Sequence, residues 1–340
     1  MKSNDLVLGI ETSCDETAAA VIVGGREIAS NVISSQIDLH RRFGGVVPEV
    51  ASRKHIELIL PVVDTALEEA GVGLSDLSAI AVTYGPGLVG ALLVGISTAK
   101  ALAFAQGIPL IAVNHIEGHI YANFLAHRDI EPPLVCLTVS GGHTDLLYIE
   151  DYGAYRILGR TRDDAAGEAF DKVGRVLGLP YPAGREIDAL AQRGDPTRYP
   201  LPQAMLGDDT YDFSFSGLKT AAINLIHNEE QRGRAVDVAD FAASLQEAIV
   251  SVLAAKTLRA AQEKGVDTIL LSGGVGANSG LRQRLAQLGA QRGIKVYYPP
   301  PVLCTDNAAM IGCAGYYRYR RGDFASWDLN AVPGLQLMES

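Results

Sequence analysis

Two histidines in the segment His115-Ile116-Glu117-Gly118-His119 stand four positions apart. On a helix, side chains four residues apart lie on one face, so both imidazoles can reach a single metal ion. Two partly buried histidines without a ligand are the alternative interpretation. A zincin protease would carry its glutamate directly after the first histidine, where this chain has Ile116, and Glu117 comes one position too late. The spacing therefore indicates a metal site and disfavours protease chemistry.

A metal held by two histidines needs a further ligand from elsewhere in the chain. Asp306 is a candidate, because it lies in Cys304-Thr305-Asp306-Asn307 at the start of a predicted helix. A carboxylate there would complete a site of two histidines and one carboxylate with open positions. The same residue can instead be the N-cap of that helix, and the local sequence by itself favours the cap.

Glycine-rich turns follow two predicted strands. Residues 272–278 read Ser-Gly-Gly-Val-Gly-Ala-Asn, and Ser140-Gly141-Gly142 follows the strand that begins at Leu134. A strand, a glycine-rich turn and a helix together point backbone N–H groups at an anion. The chain has neither a Walker A motif nor a G-x-G-x-x-G fingerprint. The two turns predict nucleotide binding, with a plain tight turn as the alternative for each.

Three carboxylates stand where they could accept a proton from a substrate. Asp15 and Glu16 lie in the polar turn of the first predicted hairpin, and Asp171 lies in a predicted helix. Positioned carboxylates can act as general bases. Because carboxylates in turns and on helix faces are usually solvated, each of the three is a weak candidate by itself.

The elements that carry these residues occur twice. Residues 6–23 form two apolar runs around a polar turn, which predicts a β-hairpin, and the same layout begins again at Leu134, 128 positions after Leu6. A helix with acidic residues in its first turn is predicted for residues 163–177. Alternating strands and helices predict an α/β fold of two related lobes, with mixed sheets and a central cleft.

The overall composition limits the class of protein. With 340 residues, 48% of them hydrophobic and 20% charged, the chain is long enough for two globular domains. A net charge of −10 argues against nucleic-acid binding by the overall field, so any RNA contact needs a local basic patch. Four separated cysteines fit a reducing compartment. Without a signal-peptide pattern or an uninterrupted apolar span, we expect a cytoplasmic protein with no membrane contact.

Eight short segments, spread in order over nearly the whole chain, together resemble the bacterial TsaD proteins, also called Gcp or YgjD. The segments are residues 9–17 (GIETSCDET), 44–49 (GGVVPE), 85–88 (GPGL), 115–119 (HIEGH), 139–144 (VSGGHT), 212–219 (DFSFSGLK), 272–278 (SGGVGAN) and 304–307 (CTDN).

The resemblance implies an actin-like ATPase (ASKHA) fold of two duplicated RNase-H-like lobes. We expect the lobes at residues 1–130 and 131–340, with the segment from about residue 305 packing back on the first lobe. It also implies transfer of the threonylcarbamoyl group from threonylcarbamoyl-AMP to N6 of adenine 37 in tRNAs that read codons beginning with A, which forms t6A and releases AMP. His115, His119 and Asp306 would hold one metal ion, Fe²⁺ or alternatively Zn²⁺.

The residues expected to contact the adenylate follow from matching positions, and ATP or ADP would bind at the same place. They are Thr138, Val139, Ser140, Gly141, Gly142, Asp171, Gly184, Asp188 and Asn278. Our hypothesis for the proton acceptor is Asp15 or Glu16, because their hairpin is predicted to face the cleft. The implied partners are tRNA, a TsaB-like inactive paralogue and a TsaE-like P-loop ATPase.

Two other functional classes remain open on the residues alone. An actin-like small-molecule kinase would use ATP and Mg²⁺ and would release ADP instead of AMP. A nucleotide-gated scaffold would bind the nucleotide and transfer nothing.

Overall fold

The computed structural model describes residues 5–43 and 45–337 and divides the chain into two compact units. The first unit takes in the described residues up to Ile130 and those from Pro299 onwards, and the second unit is Glu131–Tyr298. The C-terminal segment therefore belongs with the first unit from residue 299. Gly44, in one of the segments that resemble TsaD, lies outside the described residues.

The described elements occur in three consecutive stretches of the chain. Up to residue 130 they are β1 (Leu6–Glu11), β2 (Glu16–Val23), β3 (Glu27–Ser35), α1 (Ile37–Arg41), α2 (Pro48–Ala70), a 3₁₀ turn (Leu74–Asp76), β4 (Ala79–Gly85), α3 (Val89–Gln106), β5 (Leu110–Asn114) and α4 (His115–Ala126). The second unit contains β6 (Leu134–Val139), β7 (Thr144–Asp151), β8 (Ala154–Arg160), α5 (Ala166–Val176), α6 (Gly184–Ala191), α7 (Ser216–Gln231), α8 (Val238–Lys264), β9 (Thr268–Ser272), a 3₁₀ turn (Gly274–Ala277), α9 (Ser279–Ala290) and β10 (Lys295–Tyr297). The last stretch contains α10 (Pro301–Cys304) and α11 (Ala308–Arg321).

Each unit contains a mixed sheet of five described strands, and the two sheets have the same topology. The strand order is β3-β2-β1-β4-β5 in the first unit and β8-β7-β6-β9-β10 in the second. In both, the first three strands of the unit are antiparallel neighbours and the other two continue the sheet in parallel pairing. The duplication predicted from the two hairpins is thus confirmed at the level of the fold.

In the first unit, helices pack on both faces of the sheet. Leu8 and Ile10 of β1 belong to a buried cluster with residues of α2 and α3. Gly9, between them, faces α11, and a Cβ atom at this position would lie 2.3 Å from the carbonyl oxygen of Ala308. Only glycine permits so close an approach of strand and helix. α11 is therefore seated directly on β1, which places the residues preceding α11 beside the end of that strand.

In the second unit, two elements differ from the sequence-based expectation. The helix predicted for residues 163–177 begins only at Ala166, because the carboxylate of Asp163 bonds elsewhere: it accepts hydrogen bonds from the N–H groups of Phe215 and Ser216 at the start of α7. The short helix α6 was not predicted. Its eight residues are fewer than the window over which a helical pattern of apolar residues can be recognised.

Two helices, α3 and α8, are long and apolar enough by length and composition to cross a membrane. For α8, 61% of the most apolar window is buried, and for α3 the share is 33%. Core helices of soluble proteins pass the same test, so two such helices are weak evidence for a membrane span.

Candidate active site

The three predicted metal ligands come together in the first unit. His115 and His119 lie on the same face of α4, with their Nε2 atoms 3.1 Å apart. Oδ1 of Asp306 is 3.4 Å from His115 Nε2 and 3.2 Å from His119 Nε2. One ligand atom from each residue lies within 4.8 Å of the others. Two imidazole nitrogens and one carboxylate oxygen aimed at one point form a donor set that suits a divalent transition metal.

The start of α4 is held in place by its own cap. Oδ1 of Asn114, the N-cap residue, accepts hydrogen bonds from the N–H groups of Ile116 and Glu117 at 2.8 and 3.5 Å. Since Asn114 also ends β5, the first histidine follows directly from the edge of the sheet. The sheet therefore determines where the metal-binding face of the helix begins.

The alternative interpretation of Asp306, as an N-cap, is wrong. The N-cap of α11 is Asn307, whose side-chain oxygen accepts the N–H of Met310 at 3.0 Å. Asp306 lies one residue earlier, between α10 and α11, and its carboxylate is left to face the two histidines. The neighbouring asparagine thus frees the aspartate for the cluster.

The charges in this cluster stabilise one another. Burial opposes ionisation of Asp306, but the adjacent His115 and His119 hold the pKa of its carboxyl far below the usual range. Burial also opposes protonation of His115, yet Asp306 and Glu11 raise its pKa well above the usual value. These side chains therefore form a strongly polar, largely buried site, and binding a cation there would require the loss of the His115 proton.

Glu11 belongs to this cluster although the sequence did not single it out. Its side chain is fully buried, and its Oε2 lies 3.0 Å from Nδ1 of His115. A carboxylate at the inner end of an otherwise apolar strand was the signal available in the sequence, because such a residue is rarely buried without a partner.

Asp15 and Glu16 lie half-buried at the β1–β2 turn. His55 of α2 contacts the residues on either side of them. Nε2 of His55 is 2.9 Å from the carbonyl oxygen of Cys14, and its Nδ1 is 2.8 Å from the hydroxyl of Thr17. A carbonyl only accepts, so Nε2 carries the proton and Nδ1 accepts from Thr17. The two carboxylates are therefore anchored on both sides by one neutral histidine, whose pKa burial lowers.

The surroundings of Glu16 favour its protonated form. Burial, the nearby Asp15 and the charge of Asp306 raise the pKa of Glu16 to about 9. Glu16 therefore keeps its proton at neutral pH.

In the second unit, the predicted glycine-rich turns stand side by side. β6 and β9 are parallel neighbours, with Thr138 paired to Ser272, and the two hydroxyl oxygens are 2.8 Å apart. Gly273 has a φ of +80°, and a Cβ atom there would lie 2.5 Å from the carbonyl oxygen of Val139. The two loops therefore leave the sheet in contact, at the carboxyl ends of parallel strands, where α/β sheets commonly bind ligands.

The first of these loops reaches the start of α5. Ser140 accepts the N–H of Gly167 through its carbonyl oxygen at 3.2 Å, and its hydroxyl accepts the N–H of His143 at 3.1 Å. Gly141 and Gly142 are exposed, with open space where side chains would lie. The loop thus offers bare backbone to solvent, as an anion-binding turn requires.

The remaining predicted contact residues organise helix starts. Oδ1 of Asp171 accepts the N–H of Ala183, and this ties α5 to the start of α6 at Gly184. Burial raises the pKa of Asp171, against the opposing effect of those backbone bonds. Asp188 accepts the N–H and the hydroxyl of Ser279 at the start of α9.

Asn278 is the N-cap of α9. Its side-chain oxygen accepts the N–H of Leu281 at 2.9 Å, and its amide nitrogen donates to Gln246 at 2.7 Å. All nine residues predicted to contact the adenylate lie in the second unit, whereas the metal cluster and the Asp15–Glu16 turn lie in the first.

Comparisons with known proteins agree on one family. The family model described as "TsaD: tRNA N6-adenosine threonylcarbamoyltransferase" matches residues 27–313. A relative from Moorella thermoacetica with that enzyme name is 60% identical over 331 residues, which are 97% of this chain and 97% of the relative. One from Clostridioides difficile with the same name is 56% identical over 335 residues, 98% of this chain and 99% of the relative.

Solved structures of distant proteins share the fold. HypF of T. kodakarensis superposes with a TM-score of 0.63 at 15% identity, over 96% of this chain and 49% of HypF. Component A of the (R)-2-hydroxyglutaryl-CoA dehydratase of Acidaminococcus fermentans gives a TM-score of 0.55 at 14% identity, over 94% of this chain and 99% of that protein. These likenesses show an actin-like ATPase fold and nothing about the reaction.

Proposed function

The chain belongs to the TsaD family of tRNA N6-adenosine threonylcarbamoyltransferases, and we propose that it forms t6A with the residues described above. In this reaction the bond between the carbamoyl carbon and the phosphate oxygen of threonylcarbamoyl-AMP breaks. A new bond joins that carbon to N6 of adenine 37, N6 loses one proton, and AMP leaves. The observation that carries the proposal is the convergence of His115, His119 and Asp306 in a chain so similar to these enzymes.

The metal site would be formed by these three side chains. Two histidines and one carboxylate with open positions are typical of Fe²⁺ sites, and Zn²⁺ accepts the same ligands, so we propose Fe²⁺ first and Zn²⁺ as the alternative. A divalent ion bound there would supply positive charge to an oxyanion of the substrate. The residues of the chain keep both Nε2 atoms and Oδ1 directed at one point, so the ion is positioned by the protein.

The adenylate would bind at the paired loops of the second unit. The exposed backbone of Gly141 and Gly142 can donate to phosphate oxygens, because no side chain covers it. Asp171 and Asp188 already hold the starts of α6 and α9, so contacts at Gly184 and Asn278 would be made by a rigid surface. ATP or ADP would occupy the same loops.

The proton of N6 would pass to the Asp15–Glu16 pair. Adenine N6 is a weak nucleophile because its lone pair is delocalised into the ring, so the proton must leave as the new bond forms. Because Glu16 is protonated at neutral pH, Asp15 would accept the proton, with Glu16 beside it. The turn that carries them is anchored through His55, which supports their precise placement.

The tRNA would present adenine 37 from its single-stranded anticodon loop, so the base can be splayed out without opening a duplex. With a net charge of −10, the chain would hold tRNA through local arginines or through partner chains. We propose a TsaB-like inactive paralogue and a TsaE-like P-loop ATPase as these partners, and a cytoplasmic location, where tRNA is modified.

The direct test combines the metal-loaded chain, its partners, threonylcarbamoyl-AMP and unmodified tRNA, and reads t6A by nucleoside mass spectrometry together with released AMP. We expect one AMP per t6A, and loss of both products in His119→Ala. His127→Ala, a histidine at the end of the same helix outside the ligand set, serves as the control. Release of ADP from ATP by the chain alone, with the P-loop ATPase left out, would instead identify a kinase. A folded, metal-loaded chain that yields no t6A with its partners would overturn the proposal.

A further inference from the structure

We propose that Glu11 is a positioning residue that fixes the orientation of His115, so that its Nε2 atom points at the metal. The proposal rests on the metal site proposed above. Glu11 is the last residue of β1 and lies 104 positions before His115 in the chain. The Glu11 carboxylate takes no part in the proposed transfer reaction itself.

The side chain of Glu11 acts only as a hydrogen-bond acceptor. Its Oε1 accepts the N–H of Ser13 at 2.5 Å, and its Oε2 accepts the hydroxyl of Thr83 at 2.6 Å. Its Oε2 also lies 3.0 Å from Nδ1 of His115. Because an ionised carboxylate can only accept, Nδ1 of His115 carries a proton and donates it. The lone pair of a neutral imidazole is then on Nε2, the atom that faces Asp306 and His119.

The environment of Glu11 is what a positioning role requires. Its side chain is fully buried, and a buried charge is retained only where its partners compensate the cost of desolvation. Carboxylates that accept from the second nitrogen of a histidine ligand set its tautomer and ring angle, and their removal typically weakens metal binding.

The second histidine differs, which shows that the arrangement is specific. Nδ1 of His119 is buried and has no hydrogen-bond partner among the described residues, so that ring has polar contacts only through its Nε2 atom, with Asp306 and His115. His115, with 12% of its side chain exposed, lies at the less enclosed end of the pair, where packing constrains it less. The carboxylate therefore stands next to the histidine that needs it.

The chain offers a matched control for loss of a buried carboxylate. Glu117 is also fully buried, and it lies on α4 between the two ligands, but its Oε2 accepts from Nε of Arg318 at 2.8 Å. Glu117→Gln removes a charge that is equally buried and leaves the contact between Glu11 and His115 in place. Glu11→Gln keeps the side-chain shape. If its oxygen still accepts the N–H of Ser13, its NH₂ group replaces Oε2, and Nδ1–H of His115 loses its acceptor.

The experiment measures the Zn²⁺ affinity of the full chain by competition with a chromogenic chelator, without tRNA or adenylate. We expect Glu11→Gln to bind Zn²⁺ about 10–100-fold more weakly than the unchanged chain. Glu117→Gln should lose stability in urea denaturation but keep the affinity. With Co²⁺ as the probe, the visible absorption of Glu11→Gln should shift, because one imidazole is no longer held at its angle.

If Glu11→Gln does not fold, Thr83→Val takes its place, since it removes the 2.6 Å bond and leaves the carboxylate. This variant should also weaken Zn²⁺ binding, by a smaller factor. Unchanged affinity in the folded variant, or an equal loss in Glu117→Gln, would overturn the proposal while leaving the t6A activity intact. An unchanged chain that binds no Zn²⁺ would overturn the metal site and this inference together.

Discussion

The two units of the chain use the same sheet topology for opposite purposes at the ends of their central strands. In the first unit, β1 ends in Glu11, whose carboxylate accepts from Thr83, the residue at the corresponding place in β4. In the second unit, the matching positions are Val139 and Gly273, where the side chain of the second residue is absent and the backbones touch. At these positions the first unit has two polar side chains in contact, and the second unit has a glycine whose backbone contacts the neighbouring strand.

This difference indicates how a duplicated fold acquires two kinds of site. Side chains at the strand ends of the first unit contact the proposed metal ligands, and histidines and carboxylates are the groups that bind metal ions. Bare loops in the second unit expose backbone N–H groups, which suit phosphate. The strand pairing at these positions is the same in both units, so the chemical difference lies in which residues occupy the equivalent places.

The largest effect is expected from Gly273→Ala, which tests the close backbone contact at the end of β9. A methyl group at this position would lie 2.5 Å from the Val139 carbonyl oxygen, on a backbone with φ of +80°. Strain and overpacking together should cost about 2–5 kcal/mol of the free energy of unfolding, and adenylate binding should weaken with them. Urea denaturation and a nucleotide-binding titration measure the two effects.

Gly274→Ala is the matched control, because a Cβ atom at the next residue meets nothing within 4 Å and its φ is not positive. Its free energy of unfolding should stay within about 1 kcal/mol of the parent. Equal destabilisation by both substitutions would show that the contact with Val139 is not what the glycine provides.

A second test converts the second unit towards the first. The buried hydroxyl pair Thr138–Ser272 corresponds in register to Ile10 and Val82, which are apolar. Thr138→Ile alone leaves the Ser272 hydroxyl with only the weaker contact to Cys136 Sγ at 3.6 Å. It should lower the free energy of unfolding by about 1–3 kcal/mol. Adding Ser272→Val should recover part of this loss, because both polar groups are then gone.

The double variant also separates stability from function. If the hydroxyls serve the adenylate, the double variant regains stability in urea denaturation but still binds threonylcarbamoyl-AMP more weakly than the parent. Full recovery of binding together with stability would mean that Thr138 contributes only to packing.

The smallest expected effect concerns how helices begin in the two units. α4 is capped by its own neighbour Asn114, whereas α7 is capped by the distant Asp163, whose carboxylate accepts from Phe215 and Ser216. Asp163→Ala should therefore cost about 0.5–2 kcal/mol, near the low end because the side chain is largely exposed. Thermal or urea denaturation measures this loss.

The same contact predicts a dependence on pH. Although partial burial opposes it, the bonds from Ser214, Ser216 and Phe215 lower the pKa of Asp163 from 3.8 to about 2. A lowered pKa in the folded state means that the contribution is complete above pH 3.8 and is lost as the pH falls towards 2. The difference in stability between the parent and Asp163→Asn should narrow over this range, and a constant difference would contradict the cap.

Local patterns predicted much of the site. The spacing of His115 and His119 gave their common face, and glycine-rich turns after two strands marked the loops that lie side by side. Asp306 could not be told apart from a helix cap, because that choice depends on whether Asn307 takes the cap position. Asp163 was predicted to begin a helix, but it lies before α5 and caps α7. The sequence could not show this, because its partners lie about fifty residues further along the chain.

By itself, the sequence determined the duplication, the kinds of elements and the candidate ligands, because hydrophobic periodicity and turn residues act over a few positions. Only the tertiary structure decided that Glu11 supports His115, that α11 returns to β1 and that Gly273 rests on Val139. These contacts join residues more than a hundred positions apart, and they exist because strand pairing brings distant segments into register.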